Sequence, residues 1–76
     1  MTWKHRITFD EKALGGKPVI KGTRVSVQVI VGSLAGGMDI EDICREYRVT
    51  ATDIHAALAY AAEVLTEERV HALPHR

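Results

Sequence analysis

Between Asp39 and Leu65 the chain reads DIEDICREYRVTATDIHAALAYAAEVL, and this stretch limits the fold more than any other. Ile40, Ile43, Cys44 and Tyr47 recur at helical spacing, which gives a first helix one buried stripe. Asp39 stands at its N-cap position, where a side-chain oxygen can accept the N–H of Glu41 or Asp42, and those acids suit the positive end of the helix. A second helix opens at Thr50, with Asp53 three residues on as a carboxylate variant of the capping box. Its inward stripe is expected to be Ile54, Ala57, Leu58, Ala61, Val64 and Leu65. Only Arg48 and Val49 separate Tyr47 from the second cap. Helices joined so closely must cross steeply or fold back on each other, and the steep crossing is the helix-turn-helix.

That geometry raises the question of DNA, which is read mainly by Arg, Lys, Asn and Gln on the second helix. None of these types lies between Ala51 and Leu65. The positions expected to face outward are Asp53, His55, Ala56, Ala59, Tyr60, Ala62 and Glu63, so the helix is apolar on more than one side. A helix of that kind is expected to be covered, and a small chain has little mass to cover it with. The sequence therefore points to a protein contact along Ala56, Ala59, Tyr60 and Glu63, most simply with a second copy of the chain, which makes a homodimer the expected state. The competing reading is that alanine serves there only as the best helix former on a solvated face.

Seventy-six residues make one domain, near the size at which a single core is marginal and a partner often helps. With 46% hydrophobic and 26% charged residues the composition is that of a folded globular chain. No apolar run approaches the ~20 residues of a membrane helix, and the N-terminus lacks the apolar centre of a signal peptide, so a cytoplasmic protein with no membrane contact is expected. Cys44, the single cysteine, cannot form an internal disulfide and reads as a small hydrophobe on its helix. The formal net charge is zero, but residues 1–24 carry six bases against two acids, net +4, and the remainder four against eight, net −4. Such a division suits a polyanion, an oppositely charged protein or a contact between copies, and also an ordinary solvated surface.

In chain order, Trp3, His5, Ile7 and Phe9 alternate with Lys4, Arg6, Thr8 and Asp10, which is strand periodicity. Gly15 and Gly16 suit positive φ, Pro18 favours extended geometry at Lys17, and Val19-Ile20 and Arg24-Val25 read as extended pieces around a Lys21-Gly22 turn. Residues 1–25 thus form a small β-ribbon and turns, whose strand can pair within the chain or with a partner. Ser26 is placed to cap a helix from Val27 to about Leu34, with Val27, Ile30, Val31 and Leu34 inward and Gly36-Gly37 as its stop. Residues 26–65 make a three-helix core, and the tail, 66–76, begins helically and is expected to fray after Leu73, where Pro74 stands.

Catalytic and cofactor motifs are not found. GGKPVIKGTR interleaves glycine and lysine, but Pro18 follows Lys17 where a P-loop needs Ser or Thr. Lys17, Lys21 and Arg24 remain candidates for phosphates or an acidic partner, and Arg45 and Arg48 join them if DNA is bound. His5, His55, His71 and His75 have no metal-ligand spacing, since Pro74 breaks the helix that would align the last two. No nucleophile elbow or paired carboxylates in an apolar setting occur, so no enzyme, metal, cofactor or small-molecule substrate is expected.

The segments Gly16-Lys17-Pro18-Val19-Ile20, Gly22-Thr23-Arg24 and Ala56-Ala57-Leu58-Ala59-Tyr60-Ala61 carry a resemblance more specific than any helix-turn-helix pattern. Over roughly Ile7 to Leu65 the chain resembles a small prokaryotic family catalogued as domain of unknown function four-thirty-three, described as antitoxin-like and related to the VapB type. The resemblance implies a mainly α, homeodomain-like three-helix bundle with a short N-terminal β element, a tendency to dimerise, and a place beside a nuclease-like toxin of the PIN type. It brings no catalytic residues. Antitoxins often occupy the toxin with a segment beyond the folded core, and here Glu67, Glu68, Arg69, Val70 and Leu73 are the residues available for one or two amphipathic turns. So short a segment implies that the folded surface takes part as well. The expected function is that of a non-enzymatic antitoxin that neutralises its partner by protein contact. The alternative is a small dimeric DNA-binding repressor that uses the basic ribbon.

Overall fold

The computed structural model describes residues 2–9, 11–12 and 14–72. Two short strands, β1 (Ile7–Phe9) and β2 (Pro18–Ile20), precede three helices, α1 (Val27–Ala35), α2 (Ile40–Tyr47) and α3 (Ala51–Ala72). The fold is mainly helical, with an N-terminal two-stranded ribbon, as the sequence leads one to expect.

The ribbon closes within the chain. β1 and β2 are antiparallel, with Ile7 opposite Ile20, Thr8 opposite Val19 and Phe9 opposite Pro18. The strand is shorter than the alternation suggests, because the amides of Arg6 and Ile7 both donate to the carbonyl of Trp3, making a tight turn of residues 3–6. Trp3 is thereby folded back instead of pointing along a strand. Leu14–Gly16 forms a 3-10 turn, with Gly15 at φ 65° and Gly16 at φ 86°, a region that costs glycine little.

α1 starts where Ser26 Oγ accepts the amide of Val29 at 3.0 Å. It stops in a Schellman motif: the Met38 amide donates to Ser33 O and the Gly37 amide to Leu34 O, with Gly37 at φ 101°. At the head of α2, Asp39 occupies the N-cap position with extended backbone but makes no side-chain cap bond, so that expectation is corrected. α3 begins with the full reciprocal box, in which the Asp53 amide donates to Thr50 Oγ1 and the Thr50 amide to Asp53 Oδ2, both at 3.0 Å. Between α2 and α3, Arg48 takes the left-handed conformation at φ 59°, and the Val49 amide donates to Cys44 O at 3.2 Å.

Ile7, Ile20, Val27, Ile30, Ile43, Val49, Ile54, Ala56 and Ala57 make one core drawn from the ribbon and all three helices. Each buried Ile or Val contributes on the order of 1.5–3 kcal/mol. The inward face of α3 differs from the expected stripe. Ala56 is fully buried and Leu58 is 37% exposed. The reason is the ribbon, since β1 packs on α3 as a second support beside α1 and α2. The helix is thus covered on an additional side by its own chain. α3 continues as one helix through Ala72, and the fraying expected after Leu73 lies outside the described residues.

Candidate interaction surface

The apolar second side of α3 is largely occupied by the N-terminal segment. Folded back by its turn, Trp3 meets the Tyr60 ring edge-on, with centroids 4.9 Å apart and planes at 87°. Phe9 completes the cluster, 5.6 Å from Tyr60 and 6.2 Å from Trp3. The indole Nε1–H of Trp3 donates to Glu63 Oε1 at 2.9 Å. Nearly three turns earlier on the helix, Arg6 pairs with Asp53 at 3.0 Å. Burial pushes the Asp53 carboxyl up, but the Thr50 amide, the Arg6 guanidinium and the Thr50 hydroxyl outweigh it and hold its pKa below the ordinary carboxylate value.

These contacts settle where the four expected contact residues lie. Ala56 is in the core and offers no outer surface, which corrects its outward placement. Tyr60 is half-buried beneath Trp3 and Phe9, and Glu63, though exposed, is engaged by the indole. Ala59 is half-buried. The side of α3 assigned to a partner is therefore dressed by residues 3–9 of the same chain. The aromatic residues were visible in the sequence as strand positions, but nothing in their spacing marked Trp3 as the residue that turns back.

What remains open lies next to that side. An apolar groove of about 480 Å³ runs between β2, α1 and α3, with walls that include Pro18, Val27, Val31, Ala61, Val64 and Leu65. Lys17 and Gln28, both exposed, line it as well. Leu65 is 65% exposed, the most open large hydrophobic residue described. Val64 and Leu65 belong to the stripe read from sequence as inward, yet they lie outside the core cluster, Val64 half-buried and Leu65 exposed. A periodic stripe tells which residues share a face, not where the neighbouring helices end.

The basic candidates are dispersed. Lys17 lies at the groove, while Lys21 and Arg24 are exposed on the turn between β2 and α1. The Lys21 amide donates to Arg6 O at 2.7 Å, so that turn adjoins the Arg6–Asp53 pair. Arg45 pairs with Asp42 within α2, and Arg48 is exposed at its left-handed turn. Cys44 is partly buried against the core. No group of three potential metal ligands occurs among the described residues, and no buried side-chain N or O there lacks a hydrogen-bond partner. No helix among them is long and apolar enough to cross a membrane.

Fold and surface together define a small protein of helix-turn-helix type with an N-terminal β-ribbon, whose open feature among the described residues is an apolar groove. Residues 7–61 match the family described as protein of unknown function (DUF433), and the chain belongs to that family. The match runs from β1 into the middle of α3, which takes in the ribbon, the core and part of the groove and stops short of Val64 and Leu65. No curated protein and no solved structure matches the chain.

Proposed function

We propose that the chain is a non-enzymatic, cytoplasmic antitoxin-like module that works as a homodimer and neutralises a nuclease-like partner of the PIN type by direct protein contact. The observation that carries this reading is the length of α3. Its 22 residues span ~33 Å, and among the described side chains the core residues it supplies end at Ala61 and its share of the groove ends at Leu65. The helix itself continues through residues 66–72. A preformed helix pays less ordering entropy on binding than a disordered arm, so this last stretch is suited to enter a groove on another protein.

The test is inhibition of a PIN-type nuclease encoded beside the chain, with RNA cleavage as readout, for residues 1–76 and for a version ending at Leu65. The full chain is expected to suppress cleavage, and the shortened one to stay folded by circular dichroism while losing suppression. Undiminished cleavage in the presence of the full chain refutes the reading.

A second reading, a DNA-binding repressor, draws on the turn between β2 and α1, where Lys21 and Arg24 lie exposed and the Lys21 amide bonds to Arg6 O. It requires affinity for the operator to fall steeply with salt, and the slope to shrink by about one for each of Lys21 and Arg24 changed to alanine. The start of α3 adds little, since its exposed residues Ala51, Thr52, His55 and Leu58 include no Arg, Lys, Asn or Gln.

A further inference from the structure

Residues 2–6 stand outside the ribbon and lie across one side of α3. Their backbone holds largely to itself, with the Arg6 amide on Trp3 O and the Lys4 amide on Thr2 Oγ1. What ties it to the rest of the fold, among the described residues, comes at the end next to β1: the Ile7 amide on Trp3 O and the Lys21 amide on Arg6 O. α3 is reached by side chains alone. Trp3 lies edge-on against Tyr60 and donates to Glu63, and Arg6 pairs with Asp53. Both polar contacts are exposed, and of residues 2–6 only Trp3 is half-buried. Exposed pairs hold weakly, and a segment with few buried contacts opens without the rest of the fold. Residues 2–6 are thus a strap with its hinge at Ile7.

Under the strap, Asp53, Tyr60 and Glu63 follow at i, i+7 and i+10 and share one side of α3, an aromatic ring with an acid on either hand. The strap meets them with Trp3, Lys4, His5 and Arg6, so its charge is opposite to theirs. Its contacts show what the stripe accepts: a ring bearing an N–H donor and, three positions on, a cation.

We propose that the strap is an autoinhibitory contact: it closes in cis over a docking stripe made by Asp53, Tyr60 and Glu63, and a basic segment of another protein with an indole ring takes its place when it lifts. Phe9 stays on Tyr60 in both states, because β1 is paired with β2. The stripe lies apart from residues 66–72, so it stands whether or not those inhibit a nuclease. A short tether presents a segment at an effective concentration of millimolar order. For the strap to be mostly closed at that concentration, the same segment cut free must bind the empty stripe at millimolar strength or better.

Two measurements on the full chain test this. In the folded wild type, hydrogen exchange is read by NMR at the Trp3 indole N–H and the Arg6 and Ile7 amides, and at the amides of Ile43 and Ala57 in the core. The strap protons are expected to be slowed about tenfold to a hundredfold relative to an unfolded chain, and the core amides at least about a hundredfold further. Strap protons that exchange together with the core, or that show no slowing, overturn the proposal. In the second measurement a peptide of residues 2–6, blocked at both ends, is titrated into Trp3→Ala, whose strap no longer fills the stripe, and into the wild type, with the Tyr60 ring signals as readout. Binding to Trp3→Ala is expected at millimolar strength, and weaker on the wild type by the factor that the exchange reports, because only the open fraction binds. Adding Glu63→Ala, at an exposed residue, should weaken it about threefold. If Trp3→Ala loses helical circular dichroism, Arg6→Ala takes its place, since Arg6 is exposed. No shift of the Tyr60 signals at several millimolar peptide, or equal binding to variant and wild type, overturns the proposal. No nuclease enters either measurement, so their result is separate from that of the inhibition assay.

Discussion

At the scale of single residues, the connection between α2 and α3 turns on Arg48. A non-glycine residue at φ 59°, ψ 45° crowds its Cβ against the neighbouring carbonyl, at a cost of roughly 1–2 kcal/mol. The exposed side chain makes no described contact with the core that would offset this. Arg48→Gly relieves the crowding and gives back part of the gain through the greater freedom of glycine in the unfolded chain, at ~0.5–1 kcal/mol. The expected result is a net stabilisation of about 0.5–1 kcal/mol, read as a higher urea midpoint at unchanged slope. Glycine was not required by the chain at this point, and the sequence shows only that some turn lies between Tyr47 and Thr50.

At the scale of elements, much was legible because local chemistry fixes it. Ser26, Gly37 and the Thr50/Asp53 box end or begin helices through bonds to residues at most five positions away. Where a helix meets distant chain, local pattern loses its hold. Ala56 and Leu58 exchange their expected sides because the ribbon, some fifty residues earlier, packs on α3, and a helical period cannot register a second support. Likewise Val64 and Leu65 keep the periodicity of a buried face where α1 and β2 no longer close over it, and a periodic stripe does not show the groove that results. The placement of Ala56 carries a prediction of its own. At a solvated or partner-facing position Ala56→Leu would be nearly neutral for the lone chain. At a fully buried one the added carbons overpack the junction of β1 with α3 and cost about 1–3 kcal/mol. Chemical denaturation of this variant, beside Leu58→Ala with its expected small effect, distinguishes the two faces of α3 directly.

At the scale of the whole molecule, the division of charge along the sequence becomes an attachment between its two parts. The basic N-terminal third meets the acidic remainder where Arg6 pairs with Asp53, one turn into α3. Asp53 also holds the Thr50 amide, so a single carboxylate ties the N-terminal segment, the helix-turn-helix and the start of α3 together. Its pKa lies below 3.8 in the folded chain, and 3.8 is the ordinary value it regains on unfolding. The unfolded state therefore binds the proton more readily, and stability falls as acid is added. The carboxylate's contribution is complete above about pH 5, fades as pH drops through 3.8, and is gone below the lowered folded-state value. Asp53→Asn keeps an acceptor for the Thr50 amide but removes the charge that Arg6 faces. The variant should be less stable than wild type near neutral pH, and their denaturation midpoints should converge as pH falls below 3.8. Parallel curves down to the lowest pH would mean that the Asp53 charge contributes nothing and that the N-terminal segment is held on α3 by its other contacts, the aromatic cluster, the Trp3–Glu63 hydrogen bond and the shared core. Trp3 is the only tryptophan, so its fluorescence reports the same release from the side of the segment it anchors.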